Sequence, residues 1–168
     1  MSVLARPEII KLVDYGEVKV EPFTEKNIGP ASIDLRLGNE FRVFKKGKAI
    51  TADEDIKPDF YTTLVKAEKI VLKPGDFVHG ITMEKITLPE TICGLLYGRS
   101  RYARLGIAVH ATASFIQPGI SNRQALEIKN LSPRTIVLKA GTRICQLILM
   151  EMNGKGKYSG RFMHQEGL

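Results

Sequence analysis

The sequence predicts an all-β fold, a distorted β-barrel or jelly-roll-like sheet carrying one or two short helices. Three observations lead there. Short segments that alternate apolar and polar residues recur along most of the chain, Gly and Pro break them every few residues, and helical patterning is confined to the amino-terminal stretch and one run after Gly98.

Residues 2–14 read as one amphipathic helix, starting at Ser2 or at the Arg6-Pro7 step, with Ile9, Ile10, Leu12 and Val13 on its apolar side and Gly16 ending it. VKVEPF, ASIDLRLG, EFRVF, KIVLKPGDFVHGITM, KITLPE and ICGLLYG follow as strands. Lys45 to Lys66 is polar, weakly periodic and acidic in TADEDIKPD, which predicts a long surface excursion. In GRSRYARLG the helix formers predict one or two helical turns, closed by Gly106. Strands resume in IAVHATA, RQALEIKN, TIVLKAG and TRICQLILMEM, with turns at Gln117-Pro118-Gly119 and Lys139-Ala140-Gly141. A single domain over residues 1–168 suits a chain that is 43% hydrophobic, and its Gly-rich, basic tail from about 153 to 168 is expected to be mobile without ligand.

Cys93 and Cys145 each sit among apolar residues, so a disulfide framework or thiolate zinc site is not expected, and a reducing cytoplasmic setting is. No run has the length of a membrane span. The net charge of +7 is uneven: Arg99 to Arg161 holds eleven Lys/Arg against only Glu127 and Glu151. A basic half of this kind suits a protein that handles phosphates or nucleic acid.

The P-loop and Rossmann glycine patterns are missing, as is the zinc deaminase signature, and His79, His110 and His164 are too scattered to suggest a metal cluster. What remains is a tight turn at Gly98 that presents Arg99, Ser100 and Arg104 around a short helix start, a natural phosphate cradle. Glu127 is the second element. Alternation in QALEIKN puts Ala125, Glu127 and Lys129 on one face and Leu126, Ile128 and Asn130 on the other. If Leu126 and Ile128 face the core, Glu127 points into a groove; an ordinary solvated glutamate is the other reading.

IGPASIDLRLG, GRSRYARLGIAVHATA, the Pro118-Gly119 turn, LEIKN, AGTRICQL and GKYSG, in that order, together resemble the dCTP deaminase branch of the trimeric dUTPase superfamily. The resemblance implies homotrimers with active sites at subunit interfaces. It also implies dCTP as substrate, dUTP and dTTP as related ligands, and Mg²⁺ bound through the nucleotide triphosphate, with no zinc and no protein cage for a metal. Carried over by motif, Glu127 is the general acid/base at cytosine C4, Ser100 and the carbonyl region of Ala113 hold the attacking water, and Arg104 anchors and polarises the site. Zinc-free hydrolytic deamination asks for a carboxylate of raised pKa that both takes and gives a proton. Arg99 and the backbone at Ser100 would bind phosphates, with Arg101, Tyr102 and Ala103 completing that segment. Ala125 and Leu126 would offer backbone groups to the base, while Gln146, Lys157, Tyr158 and Arg161 would close over the triphosphate.

Some positions depart from the family pattern. Gln117 stands where an aspartate usually contacts the deoxyribose and activates water for pyrophosphate release; an amide is no such base, so deamination to dUTP is expected over a dUMP-forming reaction. Asn122-Arg123 replaces a small glycine-containing turn, and Arg161 a common glutamine. Three other functions stay open: a dUTP diphosphatase, a non-catalytic nucleotide-sensing trimer, and a nucleic-acid-binding β-barrel, which would need more surface aromatics than Tyr97, Tyr102 and Phe115.

Overall fold

The computed structural model describes residues 2–53 and 55–168. Helix α1 (Arg6–Asp14) begins at the Arg6-Pro7 step. Proline suits that place because its missing N–H would find no partner in a first turn. Tyr15 caps the helix, Gly16 follows at φ +72°, and Ile9 is buried beneath it. Residues 2–5 precede the helix; there Leu4 N–H bonds the Leu149 carbonyl at 2.9 Å.

The strands are β1 (Lys19–Glu21), β2 (Ile33–Phe44), β3 (Thr62–Lys66), β4 (Lys69–Leu72), β5 (Phe77–Thr87), β6 (Ile92–Gly98), β7 (Ile107–Ala108), β8 (Phe115–Ile116), β9 (Ser121–Asn130), β10 (Ile136–Lys139) and β11 (Arg143–Glu151). Nine of them form one antiparallel sheet whose main path runs β7-β9-β5-β2-β11-β6-β8, with β1 joined to β5 and β3 to β2; β4 and β10 form a separate pair. Two α-helical turns, α2 (Pro58–Tyr61) and α3 (Ser100–Ala103), and a 3-10 turn at Glu25–Asn27 interrupt the β pattern. The fold is all-β with short helices, as the sequence predicts.

The local differences have physical reasons. ASIDLRLG and EFRVF form one continuous strand, because the bulge between Leu37 and Phe41 bends β2 without breaking it. The predicted run from Lys69 to Met83 is two strands, split by a Pro74-Gly75 turn in which Gly75 has φ +83°. Within the predicted excursion, α2 and β3 are ordered, since Arg42 ties Asp59 and Thr62 to β2. IAVHATA keeps only two strand residues, since the chain turns away to meet Glu127.

Ile33, Leu35, Leu37 and Phe41 from β2, Leu126 and Ile128 from β9, and Ile144, Leu147 and Leu149 from β11 fill the core. Glu84 is buried at the β5–β9 bulge, where the Arg36 amide (2.7 Å) and Nε (2.6 Å) both donate to it. A buried carboxylate is stable only when its charge and lone pairs are met in this way.

Candidate active site

On β9, burial alternates residue by residue, with Leu126 and Ile128 in the core and Ala125 and Glu127 on the opposite face. Glu127 therefore points out of the core, into a cleft of about 440 Å³. Ala113, Gln117, Ala125, Leu126 and Tyr158, all expected at the site, line this cleft too.

The Glu127 carboxylate is held by its neighbours in space. It accepts from the Ala111 amide at 2.9 Å, the Thr112 amide at 2.5 Å and the Thr112 hydroxyl at 2.7 Å. Burial pushes its proton affinity up, but the Thr112 hydroxyl and amide, His110 and the Ala111 amide together bring it below the usual carboxylate value. That corrects the expectation of a raised pKa: alternation placed the carboxylate in the cleft, but its donors come from a loop about fifteen residues away that alternation does not register. The Ala113 carbonyl, expected to hold water, accepts from His110 Nε2 at 2.8 Å.

Beside Glu127 lies a row of side chains that spans three strands. His79 of β5 is the direct cross-strand partner of Glu127, and Arg42 of β2 is the direct partner of His79. Directly opposed residues project from the same face of a sheet, with Cβ atoms about 5 Å apart. All three line the cleft. The His79 ring stands edge-on to Phe44 (5.3 Å) and Phe77 (5.4 Å). Burial keeps its pKa below the ordinary histidine value against the pull of Glu127, with Arg42 acting in the same sense as burial. Arg42 donates through Nη1 to Asp59 at 2.6 Å and through Nη2 to the Leu168 carbonyl at 2.9 Å, while its buried Nε has no partner among the described residues.

The expected phosphate cradle lies elsewhere in the chain. Arg99 caps α3, its Nε pairs with Asp34 at 3.0 Å, and its Nη1 donates to the Arg143 carbonyl at 3.0 Å. Arg143 reaches the other Asp34 oxygen at 3.4 Å. Burial raises the Asp34 pKa although both guanidiniums pull it down. Ser100, Arg101, Ala103 and Arg104 are exposed, and Tyr102 packs partly against the core. Gln146 stands in register between Asp34 and Tyr97 and accepts from Ser32 at 3.4 Å. None of Arg99, Ser100, Arg101, Tyr102, Ala103, Arg104 and Gln146 lines the Glu127 cleft. Within one chain the carboxylate and the expected cradle therefore do not share a cleft.

The tail, expected to be mobile, is docked in this structure. Tyr158 N–H bonds the Pro118 carbonyl at 3.0 Å, and the Ser121 and Arg123 amides of β9 donate to Met163 and Gln165 at 3.0 and 2.8 Å. These bonds use a stretch of β9 beyond the reach of the short β7, whose backbone donors would otherwise go unpaired. Lys157 and Tyr158 line a second hollow with Phe115 and Gln117, and Arg161 lines a third beside Arg42 and Lys57. Among the described residues no group of three or more His, Cys, Asp or Glu is arranged to hold a metal ion, and no helix is long and apolar enough to cross a membrane.

Sequence reasoning missed His79 and Arg42 as cleft residues, and Ala111 and Thr112 as donors to Glu127. For His79 and Arg42 the signal was the strand order β2-β5-β9, which pairs residues 37 and 48 positions apart; one strand's own pattern does not carry it.

The family model for dCTP deaminase-like proteins matches residues 3–152. A dCTP deaminase, dUMP-forming, from Corynebacterium glutamicum is 38% identical over 98% of this chain and 93% of its own length. The protein of that name from Corynebacterium diphtheriae is 43% identical over 83% of this chain and 76% of its own. Among solved structures, the 2'-deoxycytidine 5'-triphosphate deaminase from Agrobacterium tumefaciens superposes with TM-score 0.67 and 28% identity over 88% of this chain. The present chain spans 47% of that protein's length. A dUTPase from phage phi11 of S. aureus, at TM-score 0.51 and 16% identity over 86% of the chain, shares the fold.

Proposed function

Because the chain belongs to the dCTP deaminase-like family, we propose that it hydrolyses the 4-amino group of dCTP, giving dUTP and ammonia, with Glu127 moving the protons. The observation that carries this reading is the place of Glu127: on the cleft face of β9, flanked by Ala113, Gln117 and Ala125, in a cavity that suits a pyrimidine nucleoside.

Water adds to cytosine C4 while Glu127 takes its proton and passes it to N3. The C4–N4 bond then breaks with a proton delivered to the departing nitrogen, so that one water is consumed and one ammonia released. Ser100 and the Ala113 carbonyl would orient the water, and Arg104 would stabilise charge at the reacting ring. The backbones of Ala125 and Leu126 would read the base edge. Glu127 must first leave the Ala111 and Thr112 amides, and Ala113 must leave His110. A regulatory nucleotide such as dTTP would act by favouring the bonded state.

Arg99, Arg101, Arg104 and the α3 amides, with Tyr102 and Ala103 setting the turn, would cradle the triphosphate, and Gln146, Lys157, Tyr158 and Arg161 would close on it. That donor set fits phosphate oxygens, and the nearby carboxylate of Asp34 is already engaged by Arg99 and Arg143. The residues thus fit a Mg²⁺ carried on the nucleotide, which would neutralise part of the triphosphate charge. The separation of the cradle from the Glu127 cleft supports a homotrimer in which one subunit supplies Ser100 and Arg104 to the Glu127 of the next. Free, buried Cys93 and Cys145 suit a reducing cytoplasm.

The names of the relatives favour a second reading, in which the same chain goes on to dUMP. Gln117 stands against it, because an amide takes no proton from a water attacking phosphorus. Incubating the protein with Mg²⁺ and dCTP or dUTP, and following ammonia and pyrophosphate separately, tests both. Ammonia from dCTP without pyrophosphate is expected. Pyrophosphate released together with ammonia moves the assignment to the dUMP-forming reaction, pyrophosphate from dUTP alone to a dUTP diphosphatase, and silence in both assays to a nucleotide sensor.

A further inference from the structure

The reaction as described uses no group on β5, yet β5 places a titratable ring directly opposite the reacting carboxylate. We propose that His79 is a positioning residue of the deamination cleft, standing between Glu127 and Arg42 and setting how readily Glu127 gives up and takes its proton.

The geometry is a row across three neighbouring strands, Arg42–His79–Glu127, each residue in direct register with the next. At one strand spacing an imidazole and a carboxylate interact strongly enough to move each other's titration. The ring is fixed edge-on against Phe44 and Phe77, so the spacing does not depend on a mobile side chain. The charged and titratable groups around it are Glu127 on β9, Arg42 on β2 with Asp59 beyond it, Tyr61 at the end of α2, His110 from the loop after β7, Arg123 further along β9 and Tyr158 from the tail. Burial, helped by the Arg42 guanidinium, keeps the ring neutral near neutral pH, and the Glu127 carboxylate opposes them.

A neutral His79 adds no positive charge to the pull of His110 on Glu127, so once this partly buried carboxylate is free of the Ala111 and Thr112 amides its affinity for a proton rises. A protonated His79 is a cation one strand away, which holds Glu127 as the carboxylate and makes it a poorer donor to N3 and to the leaving nitrogen. As pH falls, turnover should therefore decline as His79 becomes charged. The inference rests on the deaminase reading of Glu127, but the pairing is measurable without turnover.

Proton NMR titration of the three histidines, with the His79 signal identified by its loss in His79→Phe, reads the pairing directly. The phenylalanine keeps a ring between Phe44 and Phe77 and removes the proton site; His79→Gln serves if that variant packs poorly. In Glu127→Gln the His79 titration should move to lower pH, because the carboxylate that favours the imidazolium is gone. Unchanged His79 titration in Glu127→Gln overturns the inference. In steady-state assays with dCTP, the ratio of kcat at pH 5.5 to kcat at pH 7.5 should rise about threefold in His79→Phe with KM little changed. Superimposable pH profiles also overturn it. A shifted His79 titration in a protein that releases no ammonia from dCTP would count against the deaminase reading and leave the pairing of His79 with Glu127 standing.

Discussion

At Glu127 the proton affinity is lowered by three successive residues of the loop after β7, through the Thr112 hydroxyl and amide, His110 and the Ala111 amide, and not by the strand that carries the carboxylate. Replacing Thr112 with Val removes the hydroxyl bond at 2.7 Å, so the Glu127 titration, followed by carboxyl NMR, should move up toward the ordinary value. The sign for stability follows from the lowered affinity. Glu127 favours the folded state above its unfolded pKa, and that contribution is lost as pH falls through the lower folded value, so the destabilisation by Thr112→Val is full near neutral pH and fades in acid. Glu127→Gln should lower dCTP deamination about a thousandfold while nucleotide binding, measured calorimetrically, persists. Near-normal turnover in that variant would remove Glu127 from the reaction. The direction of Glu127 could be read from QALEIKN alone, because period-two alternation reports which face is buried. Its partners could not, because hydrogen bonds from residues 111 and 112 depend on where the chain turns after β7.

At the level of elements, the short helix and its closing turn were both legible, since GRSRYARLG carries helix formers and then glycine. Gly106 sits at φ +85°, and a Cβ there would come within 2.7 Å of the Ser132 side chain, whose backbone is also within reach. Gly106→Ala therefore combines backbone strain with a clash, and should cost about 2 kcal/mol or more in urea denaturation. A loss under 0.5 kcal/mol would mean that the turn adapts. The extent of β2 was less legible. A bulge lets one strand run through two patterned segments, and the sequence shows only the interruption of the pattern at Gly38-Asn39. Glu84 belongs to the same class, a charged residue in a strand whose burial depends on Arg36 from the neighbouring strand. The docking of the tail on β9 was likewise hidden, because it depends on an edge that only the assembled sheet defines.

Over the whole molecule, six of the eleven basic residues from Arg99 to Arg161 fall in two regions, the expected cradle of Arg99, Arg101 and Arg104 and the tail with Lys155, Lys157 and Arg161. Both suit a triphosphate, and neither contains Glu127. The family membership was legible from ordered motifs spread along the chain, and through it the expectation of a site shared between subunits, whereas which residues join Glu127 in its cleft was not, because it depends on strand order. If the site closes between subunits, light scattering should give three times the 18.7 kDa of the chain. The most direct test of the shared site is subunit mixing. Ser100→Ala and Glu127→Gln, each inactive alone, are combined one to one, unfolded and refolded together, and assayed for ammonia from dCTP. Random assembly pairs an intact Glu127 with an intact Ser100 at about a quarter of the interfaces, so about a quarter of wild-type activity should return. A mixture as silent as its two components would contradict a site built from neighbouring subunits.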